Sequence, residues 1–202
     1  MANHVDNYIT CEGSKKTMKI WKLLFSSYGE TLQRPSYHGD GVINIWEYKE
    51  IQKHPFMGEG YDDHTNWRRW NDKNIGAKWA HIEEADEDSV RIVSAWSPVH
   101  AYVQKLYEYL YETDKTVTIR HTYEDEFRNF LGVMEWRDLE DFWAELSDED
   151  IEDVMAAKFK GEEKKEEFEY HEYHDATECV PAEWLDDWVY DWMDSAVLGE
   201  KL

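Results

Sequence analysis

Only two cysteines, Cys11 and Cys179, occur in the 202 residues, far apart and outside any CxxC pattern. That excludes a disulfide framework, and reduced thiols in a reducing compartment are expected. No stretch approaches the ~20 apolar residues needed to cross a bilayer, and the start, MANHVDNYIT, shows no basic region leading into an apolar run. A soluble cytoplasmic protein with no membrane partner is therefore expected. Basic residues are also scarce, 22 against 45 acidic, for a net charge of −23. From Asp138 onward the imbalance is larger still: 23 acidic residues stand against five lysines and no arginine, a charge of −18. A nearly balanced body followed by such an anionic stretch repels phosphates and anionic lipid and attracts basic protein surfaces.

Large aromatic side chains are plentiful. Eleven tryptophans and thirteen tyrosines supply rings whose burial can hold together a chain that is one-third charged. The segment HVDNYITC (4–11) alternates as a strand does, and EGS ends it. Met18, Trp21, Leu24, Phe25 and Tyr28 then recur at helical spacing, with Lys15, Lys16, Lys19 and Lys22 largely on the other side. Residues 30–66 read as an insertion, with a strand at 41–48 and a Gly- and Asp-rich loop after it. KWAHIEEA (78–85) and SVRIVSAW (89–96) flank DED as a hairpin. Ser97 is expected to cap a helix that starts at Pro98 and buries Val99, Tyr102, Val103, Leu106 and Leu110. Strands follow at 116–123 and 129–136.

The resulting β-α-β-β-α-β order predicts an α+β fold of the ferredoxin-like kind, with two helices covering one face of an antiparallel sheet. Residues 1–137 would form this domain. Residues 138–202 would be an acidic, mainly helical extension packed on or near it. Leu139, Phe142, Trp143 and Leu146 recur at helical spacing; Ile151, Val154, Met155 and Phe159 form a second stripe, and Trp184, Trp188 and Trp192 a third.

The chain resembles the YubB ferredoxin-like family of phage- and plasmid-encoded proteins. The likeness lies in MAN at the start, in Trp67-Arg-Arg-Trp70-Asn-Asp-Lys-Asn74-Ile-Gly76-Ala-Lys78-Trp79, in Ala95-Trp96-Ser97-Pro98, and in a glycine-containing strand at 129–136. Relative to the family's N-W-G-T-K-W and A-W-S-P-P, Ile75, Ala77 and Val99 depart from the pattern. The resemblance covers roughly residues 1–137 and implies a phage accessory protein in a bacterial cytoplasm, with no catalytic set to carry over. The residues themselves give NIGAKW (74–79) a scaffold role: Gly76 for the turn, Trp79 and Trp96 as buried rings, and no Walker GxxxxGK[ST] pattern.

Other constellations are weak. HEYHD (171–175) spaces its histidines three apart, so helical HExxH geometry fails, and SDEDIED (147–153) lacks the glycine of a calcium loop. No metal, cofactor or catalytic group is read from the sequence. The leading expectation is a non-enzymatic protein that binds a host protein with a basic surface, its acidic residues standing in for nucleic-acid phosphates. The expected contacts are Asp148, Glu149, Asp150, Glu152, Asp153, Asp186, Asp187, Asp191 and Asp194. An alternative is a small enzyme or ligand-binding module on the open sheet face, using Lys78, Arg91, His121 and Tyr123. A third is nucleic-acid binding through Trp67, Arg68, Arg69 and Trp70, which the overall negative charge opposes.

Overall fold

A computed structural model describes residues 3–25, 31–35, 42–46, 51–61, 65–127 and 129–147, with only the backbone described at 31–35 and 42–46. The first strand, β1 (His4–Glu12), alternates as its sequence predicts, with Val5, Asn7, Ile9 and Cys11 buried on one face. Helix α1 (Lys15–Phe25) buries Thr17, Trp21, Leu24 and Phe25 and leaves its lysines on the other side. Its start is held by Asp114, whose carboxylate accepts from the Ser14 amide at 2.6 Å and the Thr17 hydroxyl at 2.8 Å. The Ser14 amide first, then the Thr116 amide and two threonine hydroxyls, hold this carboxyl well below the usual carboxylate range. Cys11 lies nearby, and burial, reinforced by Asp114, pushes its thiol up to about 12, so it behaves as a small core side chain.

The insertion contributes a separate hairpin, β2 (Thr31–Pro35) with β3 (Val42–Trp46), and then a short 3-10 turn at Ile51–Lys53. It also reaches the core, because Ile51, His54 and Met57 are buried. His54 Nδ1 lies 2.9 Å from the Tyr102 hydroxyl, and the His54 and Phe56 rings pack against Tyr102. Helix α2 (Trp67–Asn74) is an element the sequence patterns above do not assign; it buries Trp70, Asn71 and Asn74.

The hairpin of β4 (Ala80–Ala85) and β5 (Ser89–Ala95) forms as expected. Helix α3 (His100–Tyr111) buries the predicted stripe but starts later than predicted. Val99, not Ser97, occupies the cap position. The Val99 amide is taken by the Asn7 side-chain oxygen at 3.0 Å, while the Ser97 carbonyl accepts from the Ser94 hydroxyl.

Strands β6 (Thr118–Asp125), β7 (Phe130–Arg137) and β8 (Glu140–Ser147) form a meander. The last of these corrects the helix expected at 139–146. Asp138 and Leu139 both take positive φ, 53° and 63°, the backbone of a two-residue hairpin turn that matches strand twist. The chain therefore turns straight back along β7, and the Tyr107 hydroxyl accepts from the Leu139 amide at 2.9 Å. The sheet thus extends past the domain boundary expected at 137.

The described residues form an α+β fold: a six-stranded sheet in the order β4-β5-β1-β6-β7-β8, every neighbouring pair antiparallel, with three α-helices among them. One apolar cluster joins the sheet (Ile9, Ile92, Ile119, Trp136) to the helices (Trp21, Phe25, Trp70, Leu106, Leu110). Among the described residues, no helix is long and apolar enough to cross a membrane.

Candidate functional site

The loop after α2 is scaffold for its first three residues. Ile75 and Ala77 are buried, the Ile75 carbonyl accepts from the Tyr102 amide, and Gly76 adopts φ +93°. A Cβ at 76 would lie 3.2 Å from the Pro98 carbonyl and 3.3 Å from the Ala101 amide, both fixed backbone. Gly76→Ala therefore combines a strained φ with a close contact and is expected to cost about 1–3 kcal/mol, read as a lowered urea midpoint. An unchanged midpoint would mean this turn carries no strain.

Past Ala77 the chain turns outward, and here the structure departs from the expected buried rings. Trp79 is 49% exposed and Trp96 44% exposed. The Trp67 and Trp79 rings stack at 6.3 Å with planes 10° apart, and Trp79 meets Trp96 at 5.4 Å. Lys78 Nζ sits 4.3 Å from the centroids of both Trp79 and Trp96, a bridging cation–π contact. Short backbone ties position the rings: the Trp79 carbonyl accepts from the Ala95 amide, and the Asn3 carbonyl accepts from the Trp96 amide, each at 3.0 Å. Trp96 itself holds φ +65°, a left-handed conformation that a bulky side chain rarely adopts. Beside this row, Thr65, Asn66, Trp67, Arg68, Arg69 and Asp72 line an open depression of about 270 Å³.

This surface gathers some of the predicted residues and separates others. Arg68 and Arg69 are exposed beside it and Lys78 is part of it. Trp70 is instead buried, its ring against Tyr61 and its Nε1 donating to the Glu59 carbonyl at 3.3 Å, so it is no platform for a base. The grouping of Lys78, Arg91, His121 and Tyr123 on an open sheet face does not form. Arg91 lies on the face turned away from the helices, bound to Asp6 at 2.6 Å and Glu83 at 2.8 Å. His121 and Tyr123 point to the helix side, because their strand parity is that of Ile119. The nine acidic residues from Asp148 to Asp194 lie outside the described residues, as do HEYHD, the aspartates after Ser147, the remaining tail stripes and Cys179. Among the described residues, no group of three or more His, Cys, Asp or Glu is placed to hold a metal.

Beneath the helix side runs a buried polar network. Asn7 Nδ2 donates to the carbonyls of Val5 and Ile92 and to the Ser94 hydroxyl, and its Oδ1 accepts from the Val99 amide. The same Oδ1 lies 3.0 Å from His121 Nε2, which fixes Nε2 as the protonated nitrogen because Oδ1 can only accept. Burial first, and His100 second, push His121 well below the ordinary histidine range; burial also lowers His100 against the opposing pull of Glu145. In the unfolded chain these imidazoles protonate near pH ~6.5, whereas in the folded chain His121 stays neutral. The unfolded state then binds more protons, so stability is lost as pH falls below that value, His121 alone giving a slope of up to about 1.4 kcal/mol per pH unit. An NMR titration should show the His121 Cε1–H signal unmoved from pH 7.5 to 5.5; a midpoint inside that range would overturn the neutral assignment.

Set beside family models, curated proteins and solved structures, the chain matches none of them.

Proposed function

We propose that the protein is a non-catalytic binding protein of the phage- and plasmid-encoded kind it resembles, acting in a bacterial cytoplasm. In this reading it seats a basic host protein on the Trp67–Trp79–Trp96 surface. The ferredoxin-like reading is supported by the order β4-β5-β1-β6. With the insertion and α2 set aside, the chain runs strand, helix, strand, strand, helix, strand, and the first strand lies between the third and fourth.

The observation that carries the functional reading is the exposed tryptophan row. Tryptophan and arginine dominate the energetic centres of protein interfaces, and exposed adjoining rings rimmed by cations mark such a centre. Trp96 takes φ +65°, a backbone conformation that bulky side chains rarely adopt and that recurs at binding sites. The net charge of −23 accelerates encounter with a basic protein and opposes nucleic-acid phosphates, while Arg68, Arg69 and Lys78 at the row itself meet carboxylates or rings of that partner.

The double variant Trp79→Ala/Trp96→Ala should keep its far-ultraviolet circular dichroism, because both rings are half in solvent. Its affinity for the partner captured by the wild-type chain from host lysate should fall at least ~30-fold, the equivalent of one strong interface anchor. Undiminished capture would sink this reading. A second reading, in which Asp148, Glu149, Asp150, Glu152, Asp153, Asp186, Asp187, Asp191 and Asp194 mimic phosphates, is favoured by the −18 charge of residues 138–202. It predicts that neutralising Asp148 to Asp153, not the tryptophans, abolishes competition with DNA for the partner.

A further inference from the structure

Acidic residues outnumber basic ones by 45 to 22, so an arginine at the surface is expected to find a carboxylate of its own. Arg91 does, held by Asp6 at 2.6 Å and Glu83 at 2.8 Å, and Arg137 lies 3.1 Å from Glu135. Arg68 and Arg69 do not. They stand side by side and exposed at the start of α2, and among the described residues neither guanidinium makes an ion pair. Both line the open depression of about 270 Å³, together with Thr65, Asn66, Trp67 and Asp72. Asp72 offers a carboxylate there, one helical turn along, and still no ion pair joins it to either arginine. Trp67 belongs to two places at once, because it lines the depression and its ring stacks on Trp79. The unpaired arginines therefore adjoin the tryptophan row. Lys78 Nζ, 4.3 Å from the Trp79 and Trp96 centroids, is already committed to those rings, which leaves the two guanidiniums to take an anion.

We infer that the partner segment seated on this surface is extended, places an aspartate or glutamate carboxylate at Arg68 and Arg69, and two residues further along sets an aromatic ring against Trp79. The inference rests on the tryptophan surface being the binding site, and it names the chemistry that surface selects. Guanidinium forks suit a carboxylate, which accepts their paired N–H donors. Charge selects a single negative charge. The depression sets two arginines against one aspartate, a balance that a carboxylate neutralises and a phosphate dianion overshoots. Spacing selects the position of the ring. Side chains on one face of an extended chain recur every second residue, about 6.6–6.8 Å apart, and the Trp67 and Trp79 rings lie 6.3 Å apart. A residue two along from the carboxylate therefore reaches Trp79, which is half in solvent. A basic partner and an acidic anchor are compatible because they act over different distances. The net charge of −23 draws the partner in from afar, whereas the arginines act at contact, inside the ~8 Å over which physiological salt screens.

Capped tripeptides titrated into the isotope-labelled full chain at physiological salt test it, read by NMR through the indole N–H signals of Trp67 and Trp79. Acetyl-Glu-Ala-Tyr-amide should bind at least ~5-fold more tightly than acetyl-Gln-Ala-Tyr-amide, although the chain as a whole repels anions. In the Arg68→Gln/Arg69→Gln chain that preference should vanish, with circular dichroism unchanged because both side chains are exposed. Moving the ring by one position, in acetyl-Glu-Tyr-Ala-amide, should remove the shift at Trp79. Equal binding of the Glu and Gln peptides, a preference that survives the loss of both arginines, an unmoved Trp79 response to the displaced ring, or tighter binding of a phosphoserine peptide would each overturn the inference. If Trp79→Ala/Trp96→Ala abolishes partner capture while the Glu and Gln peptides bind alike, the tryptophan surface stands and the carboxylate anchor does not.

Discussion

Gly132→Ala is expected to lower the melting temperature by on the order of 10 °C, the counterpart of an overpacking cost of about 3 kcal/mol in a chain of this size. Gly132 lies in the middle of β7, where glycine ordinarily weakens a strand. Its role is space. The Tyr123 ring lies across the strand at this position to donate its hydroxyl to Glu145 Oε2 at 2.7 Å. A Cβ on residue 132 would meet the Tyr123 hydroxyl, would lie 2.6 Å from Tyr123 Cζ, and would lie 2.8 Å from the Ala144 carbonyl. The carbonyl belongs to the β7–β8 pairing and cannot yield; the ring can yield only by abandoning Glu145. Burial and the Glu145 carboxylate push the Tyr123 phenol far above its ordinary range, so its hydroxyl remains a donor at any physiological pH. Pairing Gly132→Ala with Tyr123→Leu should recover part of the loss but not all of it, because the contact with the Ala144 carbonyl stays. Full additivity of the two changes would show that ring and glycine are not coupled.

The parts of the fold that could be read from sequence are those whose burial follows a simple period. The stripe Val99, Tyr102, Val103, Leu106, Leu110 gives α3, and the alternation Val5, Asn7, Ile9, Cys11 gives β1, because each faces a single core and the opposite side faces solvent. β8 escaped for a reason contained in its residues. Phe142 and Leu146 are four apart, a separation that satisfies both the helical period and the strand period, and Trp143 fills the adjacent helical position. Only the turn decides, and Asp138-Leu139 carries none of the Asn-Gly or Asp-Gly chemistry that announces a two-residue hairpin. The acidic composition beyond Asp138 also favoured a boundary there, although composition reports charge and says nothing of hydrogen-bond pairing.

The candidate site was legible in its residue types and not in their exposure. Trp67, Lys78, Trp79 and Trp96 stand out in the sequence, but a tryptophan, though highly buried on average, is rarely fully so, and no periodicity spans a loop. Trp70 and Trp67, three apart on one short helix, end in different environments, one buried against Tyr61 and one stacked on Trp79. Exposure at Trp79 and Trp96 is set by backbone events outside any pattern: the positive φ of Gly76 and Trp96, and the amide–carbonyl ties to Ala95 and Asn3. Glycine at 76 advertised its turn; Trp96, in the same backbone region without being glycine, gave no sign.

Asn7→Leu is expected to be the most damaging single change to the core that leaves its volume nearly unaltered. Leucine matches asparagine in shape and would be welcomed on an apolar strand face, so a purely hydrophobic account predicts a gain. The network predicts a large loss. Asn7 Oδ1 is the acceptor for the Val99 amide, which opens α3, and for His121 Nε2. Its Nδ2 serves Val5, Ile92 and Ser94. Removing it strands two buried N–H donors where water does not reach, at about 1–3 kcal/mol each, for a total of roughly 3–5 kcal/mol. Asn7→Asp separates the two halves of the network: the acceptor stays, the two N–H donors shared among Val5, Ile92 and Ser94 go, and a carboxylate arrives beside His121. The imidazole should then be raised from its depressed range, because the charged form gains an adjacent anion. A histidine NMR titration of the Asp variant should accordingly show His121 moving into the range observed between pH 5 and 8, where the wild type is silent. If Asn7→Leu proves neutral in urea unfolding, or His121 in the Asp variant stays silent, then Asn7 does not organise this core and the start of α3 must be held by other groups.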